Sequence, residues 1–119
     1  MNLHINSSQF FDAAWKILDA EQVCSIRQIQ DASCAYFKVT RLEMMSYRRQ
    51  RTICIARKVA MYLACEVTQR SLTEIGRMFQ RDHTTVMHSR NAIAHERTVN
   101  EFFDTAVKEI FAKLEGANQ

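Results

Sequence analysis

From about Thr52 to Thr68 the apolar positions Ile53, Ala56, Ala60, Leu63, Ala64 and Val67 fall at helical period. This spacing predicts a long central helix introduced by basic residues. A second stripe, Phe103, Ala106, Val107, Ile110, Phe111 and Leu114, predicts a closing helix that covers the core. Between Ser8 and Ala20, Phe11, Trp15 and Leu18 share one face of an amphipathic helix. Helix starts are marked by a recurring pattern, Ser or Thr followed three residues later by Glu or Gln, in which side chains and backbone amides satisfy each other reciprocally. Ser25 with Gln28 opens a helix carrying Ile26, Ile29, Ala32, Tyr36 and Phe37. Thr40 with Glu43 opens a short one with Leu42 and Met45, and Ser71 with Glu74 one with Leu72, Ile75 and Phe79.

Residues 71–97 read as a short helix, a tight polar turn and a second helix, the layout of a helix-turn-helix. With Val86 at the centre of the second helix's inner face, Met87, Ile93 and Ala94 lie beside it. Thr84, His88, Asn91 and His95 then point outward. Gly76, inside the first of these helices, is about 1 kcal/mol worse there than alanine, which predicts a close approach of the two helices at that point. Asp82-His83-Thr84-Thr85 opens the second helix and fits two uses equally well. These side chains can read base edges in a major groove, or Asp82 can cap the helix while the threonines fill its first turn.

Composition agrees with an all-α fold. The 119 residues hold no proline and two glycines, Gly76 and Gly116, too little turn chemistry for a sheet. The length suits one compact domain, read as residues 23–119 with a helical extension over 1–22 and five to six helices besides it. No apolar run nears the roughly 20 residues that span a bilayer, and the amino terminus lacks a secretory layout, so a cytoplasmic protein without membrane association is expected. Cys24, Cys34, Cys54 and Cys65 have no C-x-x-C spacing and are expected to be reduced, mostly buried thiols. His83, His88 and His95 step around a helix by five and seven residues, too widely dispersed to share one tetrahedral ion. No metal, cofactor or catalytic residue is expected.

Charge adds a direction. Residues 41–90 carry ten Lys or Arg against four Asp or Glu, a surplus of six, while the rest of the chain has a deficit of three. The density peaks at Arg48-Arg49-Gln50-Arg51 and Arg57-Lys58, the footprint of a phosphate-binding surface.

Ile75-Gly76 and then Arg81-Asp82-His83-Thr84-Thr85-Val86, with His88 beyond, closely resembles the signature of the carboxy-terminal DNA-binding domain of the bacterial replication initiator DnaA. The resemblance runs back through Ser71-Leu72, Glu66, Thr68, Ala60-Met61, Leu63-Ala64, Arg57, Arg51 and Arg48-Arg49, and more loosely to Tyr36-Phe37 and Ile29-Gln30. It implies double-stranded DNA as partner, read at a DnaA-box-like site by Asp82, His83 and Thr84 in the major groove and by Arg49 in the neighbouring minor groove. Phosphate contacts would fall to Arg48, Arg51, Arg57, Lys58, Thr68, Ser71, Leu72, Thr73 and Thr85. The amides at Ser71-Leu72 open a helix and so offer donors to an anion.

Several positions depart from the family pattern. Two glycines that usually precede Arg-Asp-His are replaced by Gln80 alone, one residue fewer, which predicts an altered turn. An expected lysine is Cys65, an arginine is Ile55, a proline is Thr73, and a basic pair is Asn91-Ala92, with Arg90 and Lys58 placed to compensate. The chain carries no G-x-x-x-x-G-K-[ST] phosphate loop, so no nucleotide binding or ATPase activity is expected. The expected role is that of a free-standing, nucleoid-associated regulator of replication or transcription. The alternative is a protein-interaction module that keeps the fold without the specificity and takes a protein partner, or a second copy, on the amino-terminal helix.

Overall fold

The computed structural model describes residues 25–117. The helix expected over Ser8–Ala20, the proposed extension 1–22 and Cys24 lie outside the described residues. Within them the chain forms six helices and no strand: α1 (Ile26–Phe37), α2 (Arg41–Met45), α3 (Arg51–Val67), α4 (Leu72–Phe79), α5 (His83–Val99) and α6 (Glu101–Ala117).

All three reciprocal caps form. The Gln28 amide donates to Ser25 Oγ at 3.0 Å while the Ser25 amide donates to Gln28 Oε1 at 2.9 Å. Thr40 with Glu43 and Ser71 with Glu74 repeat the arrangement. Each pair satisfies two amides that a helix start leaves without intrahelical acceptors, so α1, α2 and α4 begin where the sequence places them. Helix α3 starts at Gln50 without a side-chain cap. Its position comes instead from burial, because α3 packs against each of the other five helices.

That central placement widens its apolar face. Besides the expected stripe, Val59, Met61 and Tyr62 are buried, as required of a helix enclosed on most sides rather than laid on a surface. Helix α6 buries Phe103, Ala106, Val107, Ile110, Phe111 and Leu114, all six expected positions. On α5, Val86 and Ile93 face the core while Thr84, His88, Asn91 and His95 face outward, as the periodicity predicts.

The chain also buries polar groups that carry no apolar signal. Arg97, near the end of α5, donates from Nε to Asp104 of α6 at 2.9 Å and from Nη1 to the Tyr62 hydroxyl of α3 at 2.9 Å. A buried guanidinium is tolerated only when paired and hydrogen-bonded in this way, and the pairing fixes the far end of α5 against two other helices. Gln30 of α1 donates to the Met78 carbonyl of α4 at 2.9 Å. The frame around α4 and α5 is therefore pinned at both ends. Among the described residues no helix is long and apolar enough to cross a membrane. Of the described cysteines, Cys34 is buried as expected, whereas Cys54 and Cys65 are only half-buried.

Candidate nucleic-acid interface

The Asp82 carboxylate caps α5 by accepting from the Thr84 amide at 3.1 Å, and also accepts from the Thr84 hydroxyl. These bonds, with His83 beside them, hold the Asp82 carboxyl below the usual aspartate range. A lowered folded-state pKa means that this cap contributes fully above the aspartate's ordinary pKa and is lost as pH falls through the lower folded value. The Thr84 amide resonance is accordingly expected to titrate below the midpoint of a free aspartate, about 3.9; a midpoint at or above that value contradicts the cap. Capping does not bury these side chains. Asp82 is 64% exposed and His83 55%, with Thr84 and Thr85 also open to solvent, so the amino end of α5 is presented rather than covered.

Next to it lies the basic loop. Ser46 ends α2 and Tyr47–Gln50 lead into α3, with Arg48, Arg49 and Arg51 exposed. Two arginines hold this loop by its backbone carbonyls. Arg57 of α3 donates from Nε to Met44 at 2.8 Å and from Nη2 to Ser46 at 2.8 Å, with longer bonds to Glu43 and Arg48. Arg81, in the turn before α5, donates from Nη2 to the same Ser46 carbonyl at 2.6 Å, and its guanidinium lies 4.6 Å from the centroid of the Tyr47 ring. A cavity of about 420 Å³ between them is lined by Tyr47, Arg48, Arg49, Cys54, Arg57 and Arg81. The Arg49 loop and the start of α5 thus adjoin on one side of the molecule.

The family model described as the bacterial dnaA protein helix-turn-helix matches residues 26–93, from the first turn of α1 to the inner face of α5. The chain belongs to this DnaA helix-turn-helix family. Chromosomal replication initiator protein DnaA of Sphingopyxis alaskensis is 40% identical over 102 residues, covering 85% of this chain and 22% of the relative. The DnaA of Zymomonas mobilis is 39% identical over 97 residues, 81% of this chain and 20% of the relative. That of Ralstonia pickettii is 45% identical over 75 residues, 62% and 14% respectively. The chain spans 14–22% of the length of these relatives.

In this DnaA-type domain the shortened turn closes through Gln80. It adopts a left-handed conformation, φ 57° and ψ 43°, its amide donates to Arg77, and the Arg81 amide donates to Gly76 at 2.8 Å. That double closure is usual at helix ends when the left-handed position is glycine. Gln80→Gly is therefore expected to raise stability by about 0.5–1 kcal/mol, read from the denaturant midpoint, by removing a side-chain penalty at positive φ. A fall in midpoint contradicts it. Gly76 is needed for a close approach, as expected, but the neighbour is the turn rather than a second helix: a Cβ there would sit 2.5 Å from the Arg81 carbonyl oxygen.

Residues expected at phosphate separate into two groups. Arg51, Lys58, Thr73, Ser71 and Thr85 are exposed, Leu72 is half-buried, and Arg48 is exposed with Glu43 at 3.5 Å. Arg57 and Thr68 are instead buried. Arg57 is 8% exposed with its donors turned to loop carbonyls, and the buried Thr68 hydroxyl donates to the Ala64 carbonyl at 2.6 Å. Their donors are engaged within the fold. The donors at the start of α4 also shift by one residue. The Ser71 amide is taken by Glu74, whose carboxyl is held down by that bond, leaving Leu72 and Thr73 as the first amides of the helix. The Cys65 thiol, where the family's lysine would stand, is pushed up to about 11 by burial, and Arg90 acts on it electrostatically from α5. Sequence patterning missed the placing of Arg81 and Tyr47. Their chemistry was visible, but their partners are carbonyls and a ring some 35 residues away in the chain.

Proposed function

We propose that this chain binds double-stranded DNA in a sequence-specific way at a site of the DnaA-box type, in the control of replication or transcription. The amino end of α5 enters the major groove, where Asp82, His83 and Thr84 meet base edges. The Tyr47–Gln50 loop enters the adjoining minor groove through Arg49. Arg48, Arg51, Lys58, Ser71, Leu72, Thr73 and Thr85 border both and engage phosphates. The relatives' name, chromosomal replication initiator protein, supports duplex DNA as the partner.

One observation carries this assignment: Arg81 joins the loop to the turn before α5, so that two exposed elements with base-reading chemistry stand side by side. Geometry of that kind suits a duplex, whose major and minor grooves are adjacent and separated by one phosphate backbone. Arg57 and Thr68 act behind the surface, holding the loop and the end of α3. Selection of bound duplexes from a random pool tests the proposal. A converging consensus resembling a DnaA box supports it, and recovery of sequences without consensus overturns specific readout in favour of a module that has kept only the fold.

A further inference from the structure

We infer that Arg81 is a positioning residue that sets minor-groove discrimination from a place in the helix-turn-helix, without itself contacting a base. The inference rests on the duplex reading above and deepens it. Helix α5 could be held in a major groove with the neighbouring loop free to swing, and the two grooves would then be read independently. The hydrogen bonds argue otherwise. Ser46, at the root of the Arg49 loop, offers one carbonyl to two guanidinium groups, Arg57 from α3 at 2.8 Å and Arg81 from the turn at 2.6 Å.

These two anchors do different things. Arg57 fastens the loop to the helix that directly follows it, a local tie. Arg81 reaches across the fold and also donates to the carbonyls of Phe79 at 3.1 Å and Gln80 at 3.3 Å, so one guanidinium holds both the loop root and the turn that aims α5. Tyr47 lies against the face of the same group at 4.6 Å, one residue on from the carbonyl it holds and two before Arg49. A planar fork with five donors can satisfy several carbonyls and stack at once, whereas a lysine ammonium cannot. No carboxylate lines the cavity containing Arg48, Arg49, Arg57 and Arg81, and Glu43, outside that lining, pairs with Arg48 at 3.5 Å. Repulsion from the neighbouring cations favours an outward swing of the exposed Arg49, and the Ser46 tether limits that swing.

The test uses the selected duplex and a panel in which each base pair is replaced singly. Discrimination at each position is the ratio of affinities for the preferred and replaced pair. Because this is a ratio within one preparation, any unfolded fraction cancels. Arg49→Ala and His83→Ala first assign positions to the loop and to α5. Arg81→Lys and Arg81→Gln are then expected to reduce discrimination at the Arg49-dependent positions by about fivefold or more, from the usual cost of a mismatched pair. At the His83-dependent positions they are expected to leave it within about twofold.

Tyr47→Leu, which keeps the arginine and removes the ring beneath it, is expected to give a smaller loss at the same Arg49-dependent positions. It also serves if an Arg81 variant does not fold. Uniform weakening of every duplex with unchanged ratios, or loss confined to the His83-dependent positions, overturns the coupling while leaving the duplex reading in place. A wild-type protein that discriminates at no position overturns the duplex reading, and the coupling with it.

Discussion

Gly76→Ala is expected to lower the stability of the domain by about 2 kcal/mol or more, a fall in melting temperature of roughly 10 °C for a domain of this size. Alanine is ordinarily the better helix residue by about 1 kcal/mol, so a loss of this sign needs a specific cause. The added methyl would lie 2.5 Å from the Arg81 carbonyl oxygen, and its next neighbours, the carbonyl carbons of Arg81 and Asp82, belong to the same turn. Backbone held by the Arg81 amide bond to Gly76 and by the Asp82 cap cannot yield as a flexible side-chain tip would. The movement that relieves the clash pushes the start of α5 outward, so duplex affinity is expected to fall beyond the share explained by unfolding. Gly116→Ala provides the control, because a methyl there meets nothing within 4 Å, and no loss is expected. Equal melting temperatures for wild type and Gly76→Ala contradict the close approach.

Arg49→Ala is expected to weaken the preferred duplex by about 1–3 kcal/mol and to relax choice at a small group of adjacent positions. His83→Ala is expected to do the same at a different group. Arg51→Ala, on an exposed side chain at the first turn of α3, is expected to weaken all duplexes alike and to reduce the slope of log affinity against log salt by about one unit. The contrast follows from what each group meets. Phosphates are the same at every base pair, so their loss carries no sequence information. Titrations of the three variants on preferred and scrambled duplexes at several salt concentrations distinguish these outcomes. Identical behaviour of all three contradicts direct base readout.

Much of the fold was legible because its signals are local. A capping box places both partners within four residues, and Ser25, Thr40 and Ser71 each open a helix as read. The stripes of α5 and α6 were legible for the same reason, since periodicity reports which face is covered without naming what covers it. Arginines were the harder residues. Arg57 was read as part of the phosphate-facing basic cluster and Arg97 carried no signal at all, yet the first turns inward to loop carbonyls and the second to Asp104 and Tyr62. Their partners lie on other elements, and a single chain of letters does not say which carbonyls a loop leaves open.

The site divides along the same line. Asp82, His83, Thr84 and Arg49 were singled out by motif and stand exposed, whereas the tie between their two elements depends on how Gln80 shortens the turn. A glycine-poor turn with one residue fewer implied a changed geometry. Only the folded backbone shows that Gln80 takes the left-handed position itself and brings Arg81 to the loop.

Placement of two neighbouring elements in two neighbouring grooves is most directly measured with groove-selective base analogues. Replacing one A·T pair at a time by inosine·cytosine alters the major-groove edge while keeping the minor-groove pattern, and exchanging G·C for inosine·cytosine removes only the minor-groove amino group. Two adjoining blocks of sensitivity are predicted, one to minor-groove changes that disappears in Arg49→Ala and one to major-groove changes that disappears in His83→Ala. Sensitivity in a single groove, or the same block lost in both variants, contradicts it.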